Sequence, residues 1–161
     1  MTLAINTRTL LMDAALVAGA CLIPAASHLL ALPLYMLDPM RWLLLGALVV
    51  GHRSGNMLTN GLLMALLLPL VSSLVVGMPA MGKAILIVAE LGANVALFAL
   101  ISKKMNTFLA MLLSIVGAKA VYYALKLVVM GGVLTGTTWM MQAVVTLALA
   151  SVAALAMARN N

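Results

Sequence analysis

The sequence predicts an all-α integral membrane protein with six transmembrane helices and both termini in the cytoplasm. Composition, the length of the apolar runs and the distribution of basic residues all point to this class. Of the 161 residues, 66% are hydrophobic and 7% are charged, whereas a soluble domain carries about 25% charged residues. Such a chain cannot cover a water-facing surface. This excludes soluble enzymes, and it excludes nucleic-acid-binding proteins despite the net charge of +6.

Breaks in the apolar sequence delimit six runs that serve as candidate spans, since a helix that crosses a bilayer takes about 20 apolar residues. The runs are Leu10–Leu32, Met40–Val50, Asn56–Val76, Met81–Ile101, Asn106–Val129 and Trp139–Ala158. The second run is too short to cross unless flanking residues extend its helix. We expect the first run to be a retained span rather than a signal peptide, and residues 1–161 to form a single transmembrane domain.

Basic residues set the predicted orientation. Those on the side of the two termini are Arg8, Arg53, Lys103, Lys104 and Arg159, and those in the opposite loops or span ends are Arg41, Lys83 and Lys126. Cytoplasmic loops of membrane proteins are enriched in lysine and arginine. The termini are therefore predicted to be inside.

Polar residues within the spans are concentrated in the outer half. At about 1.5 Å per helical residue, Glu90 lies about 10 Å and Lys119 about 15 Å below the outer face. Asn94 follows Glu90 by one turn, and Gln142 is one turn into the last run. Charges inside a membrane are costly and indicate function, so Glu90 and Lys119 either pair to join their helices or contact a ligand. This one-sided polarity predicts a pocket open to the outside rather than a through-pore.

Small residues form a stripe along the first run. They are Ala14, Ala18, Cys21 and Ala25, spaced so that they share one helix face. Small residues allow helices to approach closely in lipid. The stripe is therefore either a packing surface for another span of this chain or a docking surface for a partner protein.

The residues of a catalytic or metal site are not apparent. We find no nucleophile–base set and no phosphate-binding loop, and the chain has a single cysteine. We therefore expect no catalytic residue, no cofactor and no metal, and expect any ATP-driven step to require another chain.

The layout resembles the substrate-binding S components of energy-coupling factor (ECF) transporters. The resemblance rests on the proline-bearing stretch 33–39, the glycine-flanked turn 51–55, the segments 69–73 and 77–79, Glu90 in the next helix, and the Ala14/Ala18 pair, which matches an Ala-x-x-x-Ala feature. These proteins have six helices and both termini inside, and they capture a vitamin or similar micronutrient on the outer side.

The resemblance implies a multi-pass protein of the bacterial inner membrane that works with partner subunits. The loops after the first, third and fifth helices would close over the substrate, and the last three helices would line its pocket. The residues expected to contact the ligand are Glu90, Asn94, Lys119, Tyr122 and Gln142, with Tyr35 and Trp139 as aromatic contacts. The loaded protein would dock through the stripe formed by Ala14, Ala18, Cys21 and Ala25 onto a membrane coupling subunit that carries two ATPases.

The substrate and two alternative functions stay open at this point. Outer cations outnumber the outer acids Asp38 and Glu90, which favours an anionic or carboxylate-bearing ligand. An accessory or structural subunit without a ligand would instead show a tight Glu90–Lys119 pair and no dead-end pocket. A small membrane enzyme is disfavoured because no catalytic set is apparent.

Overall fold

The computed structural model describes residues 7–29, 37–131 and 139–158, which form α-helices and the short connections between them. The helices are α1 (Thr7–Leu29), α2 (Pro39–Arg53), α3 (Met57–Val76), α4 (Met81–Ile101), α5 (Thr107–Met130) and α6 (Trp139–Ala158). The predicted all-α class is confirmed. In lipid this class follows from the backbone, because a helix satisfies its own amide and carbonyl groups where no water is available.

Five of the described helices are long and apolar enough to cross a membrane, which makes the chain a multi-pass membrane protein. The exception is α2, whose 15 residues span about 22 Å, less than the roughly 30 Å of a bilayer core. Six transmembrane helices were predicted, the second of them only if flanking residues extended it; the extension is too small for α2 to count as a span. Helix α2 begins at Pro39, whose ring favours the first helical turn, and ends at Arg53; the C-cap residue Ser54 donates its amide to the carbonyl of Val50.

Helix α2 has the most neighbours in the bundle, since it contacts α1, α3, α4 and α6. Helix α4 packs between α3 and α5 and also touches α2. The core between them is built from fully buried apolar side chains, among them Leu44, Leu68, Leu91, Phe98 and Ile115. Helix α1 lies at the edge, where few of its residues are buried.

The start of α2 lies deep in the bundle. Its N-cap residue Asp38 contacts Lys119, which stands eleven residues before the end of α5 at Met130. Eleven helical residues correspond to about 16 Å. The outer part of α5 therefore extends well beyond the first residue of α2, and charged residues at the start of α2 lie at membrane depth.

Gly61 marks the closest approach of α3 to its two neighbours. A Cβ atom at this position would lie 2.8 Å from Leu48 Cδ2 and 2.9 Å from Val95 Cγ1. Leu48 and Val95 are both buried, so neither has free space into which to move. The missing side chain is what allows α3 to pack tightly against α2 and α4.

We expect Gly61→Ala to lower the free energy of unfolding by about 1–3 kcal/mol, the usual effect of overpacking a filled core. The matched control is Gly92→Ala on α4, where a Cβ would meet nothing within 4 Å. That change should be neutral or slightly stabilising, because alanine has the higher helix propensity. Thermal unfolding in detergent compares the two variants. Equal unfolding temperatures would contradict the close approach at Gly61.

Candidate functional site

Four charged side chains form a closed ring at the start of α2, which we call the charge quartet: Asp38, Arg41, Glu90 and Lys119. Glu90 Oε1 accepts a hydrogen bond from Arg41 Nη2 and lies 3.3 Å from Lys119 Nζ. Asp38 Oδ2 accepts from Lys119 Nζ at 3.1 Å and lies 3.4 Å from Arg41 Nη1. Positive and negative groups alternate around the ring, so the quartet has no net charge.

Burial divides the quartet into a sealed half and an accessible half. The side chains of Arg41 and Glu90 are 2% and 7% exposed, whereas those of Lys119 and Asp38 are 20% and 26% exposed. A charge in a low-dielectric interior is tolerated when it is paired and hydrogen-bonded. The sealed pair therefore depends on its ionic partners, while the accessible pair retains some contact with its surroundings.

The local structure at Asp38 directs its carboxylate into the quartet. Aspartate at a helix N-cap usually accepts a hydrogen bond from the first-turn amides. Here Asp38 makes no capping side-chain bond and has a left-handed backbone, with φ 51°. Its carboxylate instead meets Lys119 and, one helical turn on, Arg41. The negative charge still sits favourably at the positive end of the α2 dipole.

The structure brings Glu90 and Lys119 together, and it adds two residues that the sequence analysis did not include in the site. Arg41 was grouped with the outer cations, but it lies inside the bundle as the direct partner of Glu90. The sequence contained one signal for an Asp38–Arg41 ion pair. The chain has only three acidic residues. One of them, Asp38, stands three positions before Arg41, a spacing that favours ion pairing on a helix.

The quartet changes the electrostatic argument about the ligand. Arg41 and Lys119 are balanced by Asp38 and Glu90 within the ring. The outer cations left over are Lys83, which is exposed, and Lys126, which is half-buried. The centre of the candidate site is neutral, and the excess positive charge that favoured an anionic ligand lies away from it.

Asn94 is buried beside the quartet with part of its hydrogen-bonding capacity unused. Its side chain is 1% exposed, and among the described residues neither Asn94 Oδ1 nor Arg41 Nε has a hydrogen-bond partner. Both residues line one gap between α2, α4, α5 and α6 that is too narrow for a water molecule. A buried unpaired polar atom costs about 1–3 kcal/mol, so an acceptor and a donor are held here at a free-energy cost.

Two tyrosines of α5 and a glutamine of α6 are linked to one another. Tyr123 donates a hydrogen bond through its hydroxyl to Gln142 Oε1 at 3.1 Å. The ring of Tyr122 meets that of Tyr123 edge to face, with centroids 5.5 Å apart, and lies within electrostatic range of Glu90 and Asp38. Tyr122 and Gln142, both predicted ligand contacts, are therefore linked through Tyr123.

Some predicted residues lie outside the described part of the molecule. Tyr35 falls in the stretch 30–36, and the loop predicted after the fifth helix falls largely in 132–138. Trp139 is the first residue of α6, but its side chain and that of Ala25 are outside the description. Their proposed contacts stay predictions.

The small-residue stripe on α1 faces away from the bundle where it is described. Ala14 and Ala18 are exposed and Cys21 is partly exposed. The opposite face packs inward: Ala20 is fully buried, and its carbonyl lies 3.1 Å from the Ser72 hydroxyl of α3. The described part of the stripe is therefore not covered by another helix of this chain.

Comparison with known proteins finds no family model, no curated protein and no solved structure that matches this chain.

Proposed function

We propose that this protein is the substrate-binding membrane subunit of an ECF-type importer. It captures a small vitamin-like molecule in the outer half of the membrane and delivers it inward by docking on an ATP-driven coupling module. The observation that carries the proposal is a polar site with a neutral charge quartet at membrane depth. Beside the quartet lie a buried acceptor on Asn94 and a buried donor on Arg41 that have no partner among residues 7–29, 37–131 and 139–158. A helix bundle with a purely structural role has no need to retain such unpaired atoms.

In this proposal each group of residues has a distinct role in binding. Asn94 Oδ1 accepts a hydrogen bond from the ligand and Arg41 Nε donates one. Tyr122 supplies an aromatic face for a ring, and Tyr123 keeps Gln142 oriented through their hydrogen bond. Asp38 and Lys119, the accessible half of the quartet, shift to admit the ligand while Arg41 and Glu90 hold α2 to α4.

Delivery depends on α1 in this proposal. The exposed Ala14 and Ala18 let a helix of the coupling subunit approach closely. Because α1 lies at the edge of the bundle, a partner can pack on it without displacing the helices that form the site.

An accessory subunit of a larger membrane complex is the second candidate, and one observation favours it. The quartet is closed on itself, with Glu90 and Lys119 paired, and the gap beside Asn94 is too narrow for a ligand in this conformation. The two candidates differ in whether this gap opens around a bound molecule.

Native mass spectrometry of the gently purified protein separates the two candidates. The importer subunit is expected to carry a small molecule at one copy per chain, and Asn94→Leu should lower its occupancy about tenfold, as loss of a buried hydrogen bond does. Ser151→Ala, an exposed polar change on α6, is the control and should leave occupancy unchanged.

An empty wild-type protein that co-purifies with an unrelated membrane complex would favour the accessory subunit. Unchanged ligand affinity in both Glu90→Gln and Lys119→Met would show that the pocket lies elsewhere in the chain.

A further inference from the structure

A second cleft lies at the opposite end of the bundle from the charge quartet, between the first turn of α1 and the last turn of α2. It encloses about 160 Å³ and is lined by Arg8, Thr9, Met12, Val50, Arg53 and Ser54. The basic residues on this side predict that it faces the cytoplasm. Neither the charge quartet nor the α1 stripe includes any of these residues.

We propose that this cleft binds the phosphodiester headgroup of an anionic phospholipid. Two guanidinium groups and two hydroxyl groups line it, and its lining includes no acidic residue. Arginine stays charged at every physiological pH and matches a phosphate group with paired donors.

The depth of the cleft favours a lipid over a free anion. Arg8 is the second residue of α1 and Arg53 the last of α2, so both guanidinium groups lie near the membrane surface. Met12 and Val50 form an apolar floor about one turn further in. Next to the cleft, Leu10 and Leu11 are 58% and 66% exposed and offer an apolar surface to acyl chains.

The cleft has basic groups at the membrane surface and apolar groups below them. A phospholipid has the complementary order, with its anionic headgroup at the surface and its acyl chains below. Basic pockets between transmembrane helices on the cytoplasmic side are recognised sites for anionic headgroups. The inference is independent of the proposed transport function, because it concerns a membrane-surface site and would hold for an accessory subunit as well.

The test is native mass spectrometry of the full chain in detergent with equal amounts of phosphatidylglycerol and phosphatidylcholine. Wild-type protein should retain one phosphatidylglycerol in clear preference to phosphatidylcholine. Each arginine should contribute about fivefold to this preference, so Arg8→Gln combined with Arg53→Gln should lower it more than tenfold. The control combines Lys103→Gln with Lys104→Gln, which removes the same charge from exposed positions of the α4–α5 turn.

Equal retention of the two lipids by the wild type, or equal losses in the two double variants, would overturn the proposal. If the double arginine variant does not fold, Arg53→Gln alone changes an exposed residue and should still lower the preference about fivefold. A separate arm adds millimolar inorganic phosphate to protein in zwitterionic detergent. If phosphate raised the unfolding temperature as much as phosphatidylglycerol does, the cleft would be a free-phosphate site and the lipid assignment would be wrong.

Discussion

Replacing Glu90 by glutamine is expected to lower the free energy of unfolding by about 3 kcal/mol or more, the range found when one partner of a buried ion pair is removed. Glutamine keeps the shape of the side chain and removes its charge. Arg41 and Lys119 would then share the single carboxylate of Asp38. Lys119 is 20% exposed and can turn outward, but Arg41 is 2% exposed and would stay buried without its main partner.

The double variant Arg41→Met with Glu90→Gln tests whether the loss of stability in Glu90→Gln comes from the unpaired charge of Arg41. It removes one charge of each sign and leaves Asp38 paired with Lys119 at 3.1 Å. Removing one member of a buried ion pair leaves an uncompensated buried charge, whereas removing both members does not. The double variant should therefore be more stable than Glu90→Gln alone, and the double-mutant cycle should show strong coupling between the two positions.

Thermal and denaturant unfolding in detergent measure these effects, with the fluorescence of Trp42 on α2, in a Trp139→Phe background, as a local probe. Lys83→Gln, which changes an exposed charge on α4, is the control and should shift the free energy by less than about 0.5 kcal/mol. If Glu90→Gln and Lys83→Gln had the same stability, the quartet would not hold α2 to α4 and α5.

The helices were largely predictable because each long apolar run has one structure available to it in lipid. The predicted runs Met81–Ile101 and Trp139–Ala158 coincide with α4 and α6. The predicted second run stopped at Val50, while α2 continues to Arg53. Hydropathy detects the apolar part of a helix, but Gly51, His52 and Arg53 extend the same helix with polar residues at its end.

The sequence could predict which residues of the site lie together only where their depth in the membrane was enough to bring them close. Counting residues along two full-length spans placed Glu90 and Lys119 at similar depth, and they are 3.3 Å apart. The depth of Arg41 in the membrane could not be predicted in this way. Arg41 stands near the start of a short helix, and the length of α2 does not determine how deep that start lies. Its depth follows from packing against α1, α3 and α6 and from the contact of Asp38 with Lys119, neither of which a single sequence displays.

If α1 docks on a coupling module as proposed, replacing Ala18 by tryptophan should abolish that docking while leaving the fold intact. Ala18 is exposed on the outward face of α1, so the larger side chain would project into lipid in the free protein. In the docked state it would stand between two helices whose close approach requires small residues. We expect more than about a tenfold loss of co-purified ATPase and coupling subunits, since a misfit of about 1.4 kcal/mol already lowers affinity tenfold.

Val116→Trp is the matched control, because Val116 is a lipid-facing residue of α5 that is 57% exposed and lies on a different side of the bundle from the stripe. Both variants should unfold at the wild-type temperature, and both should retain any ligand that the wild type carries, since both side chains are exposed on the surface of the bundle. A loss of partner subunits confined to Ala18→Trp would identify α1 as the docking helix. Equal recovery of the subunits with both variants would contradict docking through α1.

A lower unfolding temperature for Ala18→Trp alone would mean that the stripe serves packing within this chain. The exposure of Ala14 and Ala18 argues against that role.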